Sequence, residues 1–142
     1  RYENWLYEVE ATGMAKSYKM VLLSAMLQRG PSNWMKPISA KEAAPFFHAY
    51  LTQKEYRKKI DFSDKTTMKL WDYNQDKVAS LIERMPMTKW IGSSKGMITF
   101  EDGVFALTFD VGEEDEESLY EFTKEICEFR LQGYFERKGY RI

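Results

Sequence analysis

Gln75, Lys77, Ser80 and Arg84 lie within ten residues of one another, and their side chains are of the kinds that meet nucleic acid. Arg and Lys pair with the O6 and N7 edge of guanine, Gln with adenine, and Ser with phosphate or base. Positions 77, 80 and 84 are spaced i, i+3 and i+7, which places them on one strip of a helix. Lys89 and Lys95 follow, with Trp90, Ser93 and Ser94 between them. Arg57 and Lys58 stand in an earlier basic run, Lys54 to Lys59, as candidate phosphate contacts. The candidate nucleic-acid-binding set is therefore Gln75, Lys77, Ser80, Arg84, Lys89, Lys95, Arg57 and Lys58.

Other chemistries find less material. A zinc site needs clustered His and Cys, and the chain has one of each, His48 and Cys127. His48, beside Phe46, Phe47 and Tyr50, reads as a packed or capping histidine; Cys127, among apolar residues, reads as inert core. No Gly-x-Ser-x-Gly turn is present for a serine nucleophile, and no Gly-x-x-x-x-Gly-Lys cradle for a nucleotide phosphate. Gly92-Ser93-Ser94-Lys95-Gly96 has the composition of an anion-binding loop, but such a stretch is far more often a flexible connection into a strand. Asp102 and Asp110 bracket a strand as nuclease carboxylates do, yet Asp102 belongs to a turn and no Glu-x-Lys follows. No catalytic residue, metal or cofactor is expected in this chain.

The elements that position these residues follow from periodicity. Asn74 can cap a helix over Gln75–Met85, whose buried face is Val78, Leu81, Ile82 and Met85, and Pro86 is expected to stop it. Met97–Phe100 and Val104–Phe109 flank Asp102-Gly103, a hairpin signal because Gly accepts φ > 0 in a type I′ turn. A helix followed by a hairpin is how a winged-helix domain ends.

Upstream, residues 1–12 predict an aromatic arm or short helix, with Thr12 capping a helix over Met14–Arg29 that ends at Gly30-Pro31. Lys16 and Lys19 lie off its apolar stripe. A loop over 30–38 is tethered by Trp34 and Ile38. Ser39–Glu42 fits a capping box, and Pro45 predicts a break before a helix over Pro45–Leu51. Thr52–Glu55 fits a second box, Asp61–Asp64 a turn, and Thr66–Tyr73 a short helix with Met68 and Trp71 inward. Five consecutive acids, Glu113 to Glu117, lead into a long helix over Glu116–Lys138, where they meet the positive end of its dipole. That helix is apolar on two sides: Leu119, Phe122, Ile126, Phe129 and Gly133 on one, and Tyr120, Cys127, Leu131 and Tyr134 on the other. The predicted class is α+β, mainly helical and winged-helix-like, with a β-hairpin and a long C-terminal helix.

Composition sets the frame. The 142 residues suffice for one domain with one core, and 44% apolar with 15% aromatic content marks a globular chain. No apolar run approaches the roughly 18 residues of a membrane span. A single cysteine fits a reducing cytoplasm. The net charge of −1 conceals an asymmetry: Ala11 to Lys95 holds fifteen Lys or Arg against seven Asp or Glu, and Gly96 to Ile142 holds five against twelve. A basic face is possible if the fold gathers those charges, and an ordinary salt-bridged surface is the alternative. The chain opens Arg1-Tyr2-Glu3-Asn4, without a signal peptide or an initiator Met, which suggests a single domain excised from a longer polypeptide.

Three stretches resemble a known family: Lys16-Ser17-Tyr18-Lys19-Met20-Val21-Leu22-Leu23-Ser24-Ala25-Met26-Leu27, Ala44-Pro45-Phe46-Phe47-His48-Ala49-Tyr50-Leu51 and Met85-Pro86-Met87-Thr88-Lys89-Trp90. Together they resemble the C-terminal accessory region of bacterial DEAD/DEAH-box helicase-family proteins of restriction or defence type. The resemblance implies that ATP hydrolysis, and any nuclease, reside in upstream domains of the same polypeptide. None of the helicase motifs is present here, so no catalytic residue transfers. Three readings follow: a non-catalytic module that binds or positions duplex DNA; a protein-interaction or self-association domain that docks through the C-terminal helix, as a homo-oligomer or onto its neighbours; and a small enzyme with a site of unfamiliar type.

Overall fold

A computed structural model describes residues 2–139. Helix α1 (Glu3–Ala11) leads to α2 (Tyr18–Leu27), the two-residue strand β1 (Ile38–Ser39), α3 (Ala40–Thr52) and α4 (Glu55–Asp61). A 3₁₀ turn (Thr67–Leu70) precedes α5 (Gln75–Ile82), a π turn (Glu83–Met87) and α6 (Thr88–Ser93). Strands β2 (Ile98–Glu101) and β3 (Val104–Leu107) form the hairpin, and a 3₁₀ turn (Glu113–Asp115) opens α7 (Glu116–Arg137).

The class is α+β and mainly helical, with a three-stranded antiparallel sheet of order β1-β3-β2. Phe105 of β3 faces both Ile38 and Phe100 across the sheet and is buried. A helix, a short strand, two helices and a hairpin whose second strand pairs with the first strand make the connectivity of a winged helix. Here α2, β1, α3, the α5–α6 rod and the β2-β3 hairpin supply it, and α4 is inserted between α3 and α5. At the hairpin tip Asp102 and Gly103 have φ of 53° and 77°, the two positive values that a type I′ turn requires.

Helix α2 is the centre. All its residues except Ser24 are buried, because α3 and α7 and the π turn surround it. Beside it, three indoles meet: Trp5 lies 6.1 Å from Trp34 and 6.0 Å from Trp90, ring centre to ring centre. The Trp5 Nε1–H donates to Thr123 Oγ1 at 3.1 Å and the Trp90 Nε1–H to the Lys19 carbonyl at 3.3 Å, so neither polar edge is stranded. Truncating any of these rings would cost about 3–5 kcal/mol. Helix α1 runs parallel to α7, and Arg130 of α7 donates to the Val9 and Thr12 carbonyls at 3.0 and 2.6 Å, capping the end of α1.

Several expectations are corrected. Thr12 does not cap α2: the helix starts at Tyr18, and the amide of its N-cap residue, Ser17, is held by Asp61 from α4. Lys19 is buried rather than off the core. Pro45 does not break α3, since its ring sits on the exposed side, where water can serve the Lys41 carbonyl that lacks an amide partner. Thr52 ends α3 with its hydroxyl donating to the His48 carbonyl, so the second capping box is absent. The turn at 67–70 buries Thr67 and Leu70 and leaves Met68 outside. The first capping box is present, with the Ser39 amide donating to Glu42 and the Glu42 amide to Ser39 Oγ.

Candidate nucleic-acid interface

The Asn74 side-chain oxygen accepts from the Lys77 amide at 3.0 Å and sets the start of α5. Burial of Val78, Ala79, Leu81 and Ile82 then fixes its rotation. Lys77, Ser80 and Arg84 are exposed as a result, and Gln75, in line with the buried face, is exposed because it is the first residue of the helix. Pro86 does not stop this helix. The backbone widens into a π turn, in which each amide reaches five residues back, so that the Met87 amide can serve the Ile82 carbonyl that Pro86 cannot. The Thr88 hydroxyl adds a bond to the Glu83 carbonyl at 2.8 Å. The helical rod therefore runs from Gln75 to Ser93 and carries exposed Lys89 as well. Lys95, also exposed, lies in the turn before β2 with φ of 54°.

Acids share the rod. Asp76 and Glu83 are exposed beside the candidate readers, and Asp76 is met by Lys41 of α3 at 3.7 Å. Glu101 and Asp102 are exposed at the hairpin tip. Five of the predicted residues, Gln75, Lys77, Ser80, Arg84 and Lys89, thus share one rod, with Lys95 just beyond its end.

Arg57 and Lys58 do not join them. The Arg57 guanidinium lies over the Tyr50 ring, 3.9 Å from its centre, and its Nη1 donates to the Tyr50 carbonyl at 3.0 Å. Lys58 pairs with Glu55 at 2.9 Å and sits over the Trp71 ring. The basic run of α4 is largely engaged within the domain.

One basic cluster was not anticipated. Lys16, Lys19 and Lys89 line a cavity of about 330 Å³ between the 13–17 loop, α2 and α6, closed on its apolar side by Met14, Met85 and Pro86. The Lys19 Nζ donates to Thr12 Oγ1 at 2.5 Å and to Ser93 Oγ at 3.1 Å, and lies over the Trp90 ring. Ser93 in turn donates to Glu8 at 2.6 Å. Burial holds the Lys19 ammonium below the ordinary lysine range, and Glu8 opposes that shift. Periodicity could not have found Lys19, because α2 is buried on almost every side and has no polar face to assign it to. Lys16 pairs with Asp64 at 3.5 Å.

A second polar knot lies deeper. Asp61 is fully buried; its carboxylate accepts from the Ser17 amide at 3.0 Å and from the hydroxyls of Ser17 and Tyr134. Its carbonyl accepts from the Tyr18 hydroxyl at 2.6 Å. With Ser17, Asp61 and Tyr134 all inaccessible, this arrangement ties α2, α4 and α7 together and meets no substrate. The His48 Nε2 bonds the Leu70 carbonyl at 2.8 Å. Among the described residues no group of three or more His, Cys, Asp or Glu side chains could hold a metal ion, and no helix is long and apolar enough to cross a membrane.

Comparison with protein-family models, curated proteins and solved structures returned no match to this chain.

Proposed function

We propose that this chain is a non-catalytic module that binds or positions duplex DNA, with the α5–α6 rod as its reading element. The observation that carries this reading is the placement of Lys77, Ser80 and Arg84 on the exposed side of the rod that precedes the hairpin in a winged-helix connectivity, with Gln75 exposed at the first position of that rod. Arg84 and Gln75 supply base-edge chemistry, and Lys77, Lys89 and Lys95 supply phosphate contacts. Exposed Glu101 and Asp102 make the hairpin tip acidic and repel phosphate, which counts against a wing contact and leaves the helix as the reading element. The resemblance to helicase-family accessory regions supports a setting in which upstream domains of the same polypeptide do the chemistry on the DNA held here.

With about four cations in contact, log K should fall with log salt at a slope of about −3 to −4, shallower than for a strongly basic domain. Fluorescence anisotropy on a labelled duplex between about 50 and 200 mM salt measures that slope. Arg84→Ala should cost about 1–3 kcal/mol of binding and relax preference at one base pair. Lys58→Ala should change little, because Glu55 already engages that ammonium. Absence of binding at the lowest salt, or an Arg84→Ala variant that binds like wild type, would remove α5 as the reader.

A second reading rests on a separate observation. Phe122 is 55% and Phe129 76% exposed on α7, on the side facing away from α2. That strip supports docking of a neighbouring domain of the same polypeptide.

A further inference from the structure

The cavity between the 13–17 loop, α2 and α6 has a volume of about 330 Å³, at the small end of the range of small-ligand sites. Its apolar wall is aliphatic and sulfur-rich. Met14 and Met85 are half-buried there, and Pro86 is buried beside Met85. Thioether chains are flexible enough to fit an irregular guest. The charges that line this space are of one sign: Lys16, Lys19 and Lys89 are present, and among the described residues no carboxylate joins them.

The three ammonium groups differ in what already holds them. Lys16 meets Asp64 at 3.5 Å. Lys19 is buried, and its Nζ donates to the hydroxyls of Thr12 and Ser93, the second of which also lines the cavity. Glu8 reaches Lys19 through the Ser93 hydroxyl, which donates to it at 2.6 Å. Lys89 is exposed, and among the described residues no carboxylate ion-pairs with it or with Lys19. Burial first, then Arg130 and Lys89, disfavour the charge on Lys19, and Glu8 favours it. An apolar cavity with two such ammonium groups at its edge suits an anion carried on an aliphatic body. An uncharged apolar guest would leave the ammonium groups unmatched, and an amine would be repelled. A small inorganic anion would leave Met14 and Met85 wet. At the roughly 30 Å³ that one water fills, the space holds about ten heavy atoms.

We infer that this cavity binds a medium-chain aliphatic carboxylate, with its chain against Met14, Met85 and Pro86 and its two oxygens toward Lys19 and Lys89. The inference does not rest on duplex reading by α5. Of the duplex candidates only Lys89 lines this cavity, and the binding can be measured without DNA.

Titration calorimetry on the whole chain tests it with five probes: octanoate, hexanoate, octan-1-ol, octylamine and inorganic phosphate. Octanoate should saturate a single site. Hexanoate, two methylenes shorter, should bind about tenfold more weakly, since each buried methylene is worth up to about fourfold in affinity. Octanol, octylamine and phosphate should each be at least about tenfold weaker than octanoate, because each lacks one half of the recognised chemistry. Lys89→Gln, at an exposed position, should weaken octanoate by about tenfold with unchanged melting temperature. Lys19→Met should weaken it at least as much; the Thr12 and Ser93 hydroxyls that it leaves lie 3.2 Å apart and can bond one another. Lys89→Gln decides the matter even where Lys19→Met lowers stability. Lys41→Gln, on α3 outside the cavity, removes the same charge and should leave octanoate affinity unchanged. No octanoate binding at millimolar ligand overturns the inference. So does octanol, octylamine or phosphate that binds as well as octanoate. Octanoate binding that survives Lys89→Gln, or that falls as far in Lys41→Gln, overturns it too.

Discussion

Asp61 follows a run of lysines and precedes Ser63 and Asp64, and by local signals alone it belongs to a turn. In the fold its carboxylate is buried and bonded to groups 44 and 73 residues away. No local pattern encodes partners at such separations, so this anchor was not legible in the sequence; neither was Lys19, whose partners come from the 12–13 region and α6. His48 and Cys127, by contrast, are legible from their apolar neighbours: Cys127 is fully buried, and His48 is half-buried with its Nε2 bonded to the Leu70 carbonyl. Burial, reinforced by the Asp61 carboxylate, pushes the Tyr134 hydroxyl above the ordinary tyrosine range; burial and Asp61 do the same to Tyr18. Burial pushes the Cys127 thiol up to about 12. The sign of the pH dependence follows. Each group keeps its proton longer in the folded chain than in the unfolded one, so its contribution is complete below its unfolded pKa and declines as pH rises above it. Stability should fall from about pH 8.5–10 upward, by at most about 1.4 kcal/mol per pH unit for each group. Tyr134→Phe should lose about 1.5–3 kcal/mol at neutral pH with the charge-assisted bond. It should also show a shallower alkaline decline than wild type. Urea midpoints at pH 7, 9 and about 10.5 check both, and an identical alkaline slope in the variant would mean that the hydroxyl is not held by Asp61.

Among the elements, those with local signals were legible: the Ser39–Glu42 box, the Asn74 cap, the Asp102-Gly103 turn and α7, expected over 116–138 and found over Glu116–Arg137. The ones missed depend on distant packing. Strand β1 has only two residues, too few for any periodicity, and exists because Ile38 pairs with Phe105. The α5–α6 rod is the instructive case, since Pro86 is a stop signal in sequence and an interior residue in the fold. What holds the rod together is burial on both sides of the widened turn, Leu81 and Ile82 before it and Met87 and Trp90 after it. A regular α-helix through this point would rotate α6 by about 100° relative to α5 and swing Trp90 off Trp5. Packing of several buried side chains outweighs the proline, whose cost in a regular helix is about 3 kcal/mol. Pro86→Ala should therefore keep the π turn and leave the indole signal of Trp90 in place in a ¹H–¹⁵N spectrum. A large shift of that signal alone would show that the proline ring, and not the packing, sets the turn.

Over the whole molecule, part of the basic excess between Ala11 and Lys95 is engaged within the domain. Lys16, Lys41, Lys58 and Lys59 meet Asp64, Asp76 and Glu55, Lys19 is buried, and Arg57 lies over the Tyr50 ring. The two apolar sides of α7 were visible in its sequence, but which side the body takes was not, because both are apolar. The fold decides it through Tyr120, Thr123 and Cys127, whose polar atoms meet the Leu27 carbonyl, Trp5 and Ser24. Phe122 and Phe129 are left outside, among exposed Glu121, Glu125 and Glu128. Burying both rings would contribute roughly 3–6 kcal/mol to a contact. A second copy is a poor source of that contact. Two-fold symmetry would set the same carboxylates against one another, and the like charges oppose the gain at low ionic strength. A neighbouring domain with a basic rim meets no such repulsion. Sedimentation velocity at low salt should accordingly show a monomer across the accessible concentrations. Phe129→Glu should leave that monomer as stable as wild type, because the ring makes no buried contact to lose. A dimer at low salt that Phe129→Glu abolishes would instead give the strip to a second copy, with the carboxylates then placed to pair with the lysines and arginines of the partner chain.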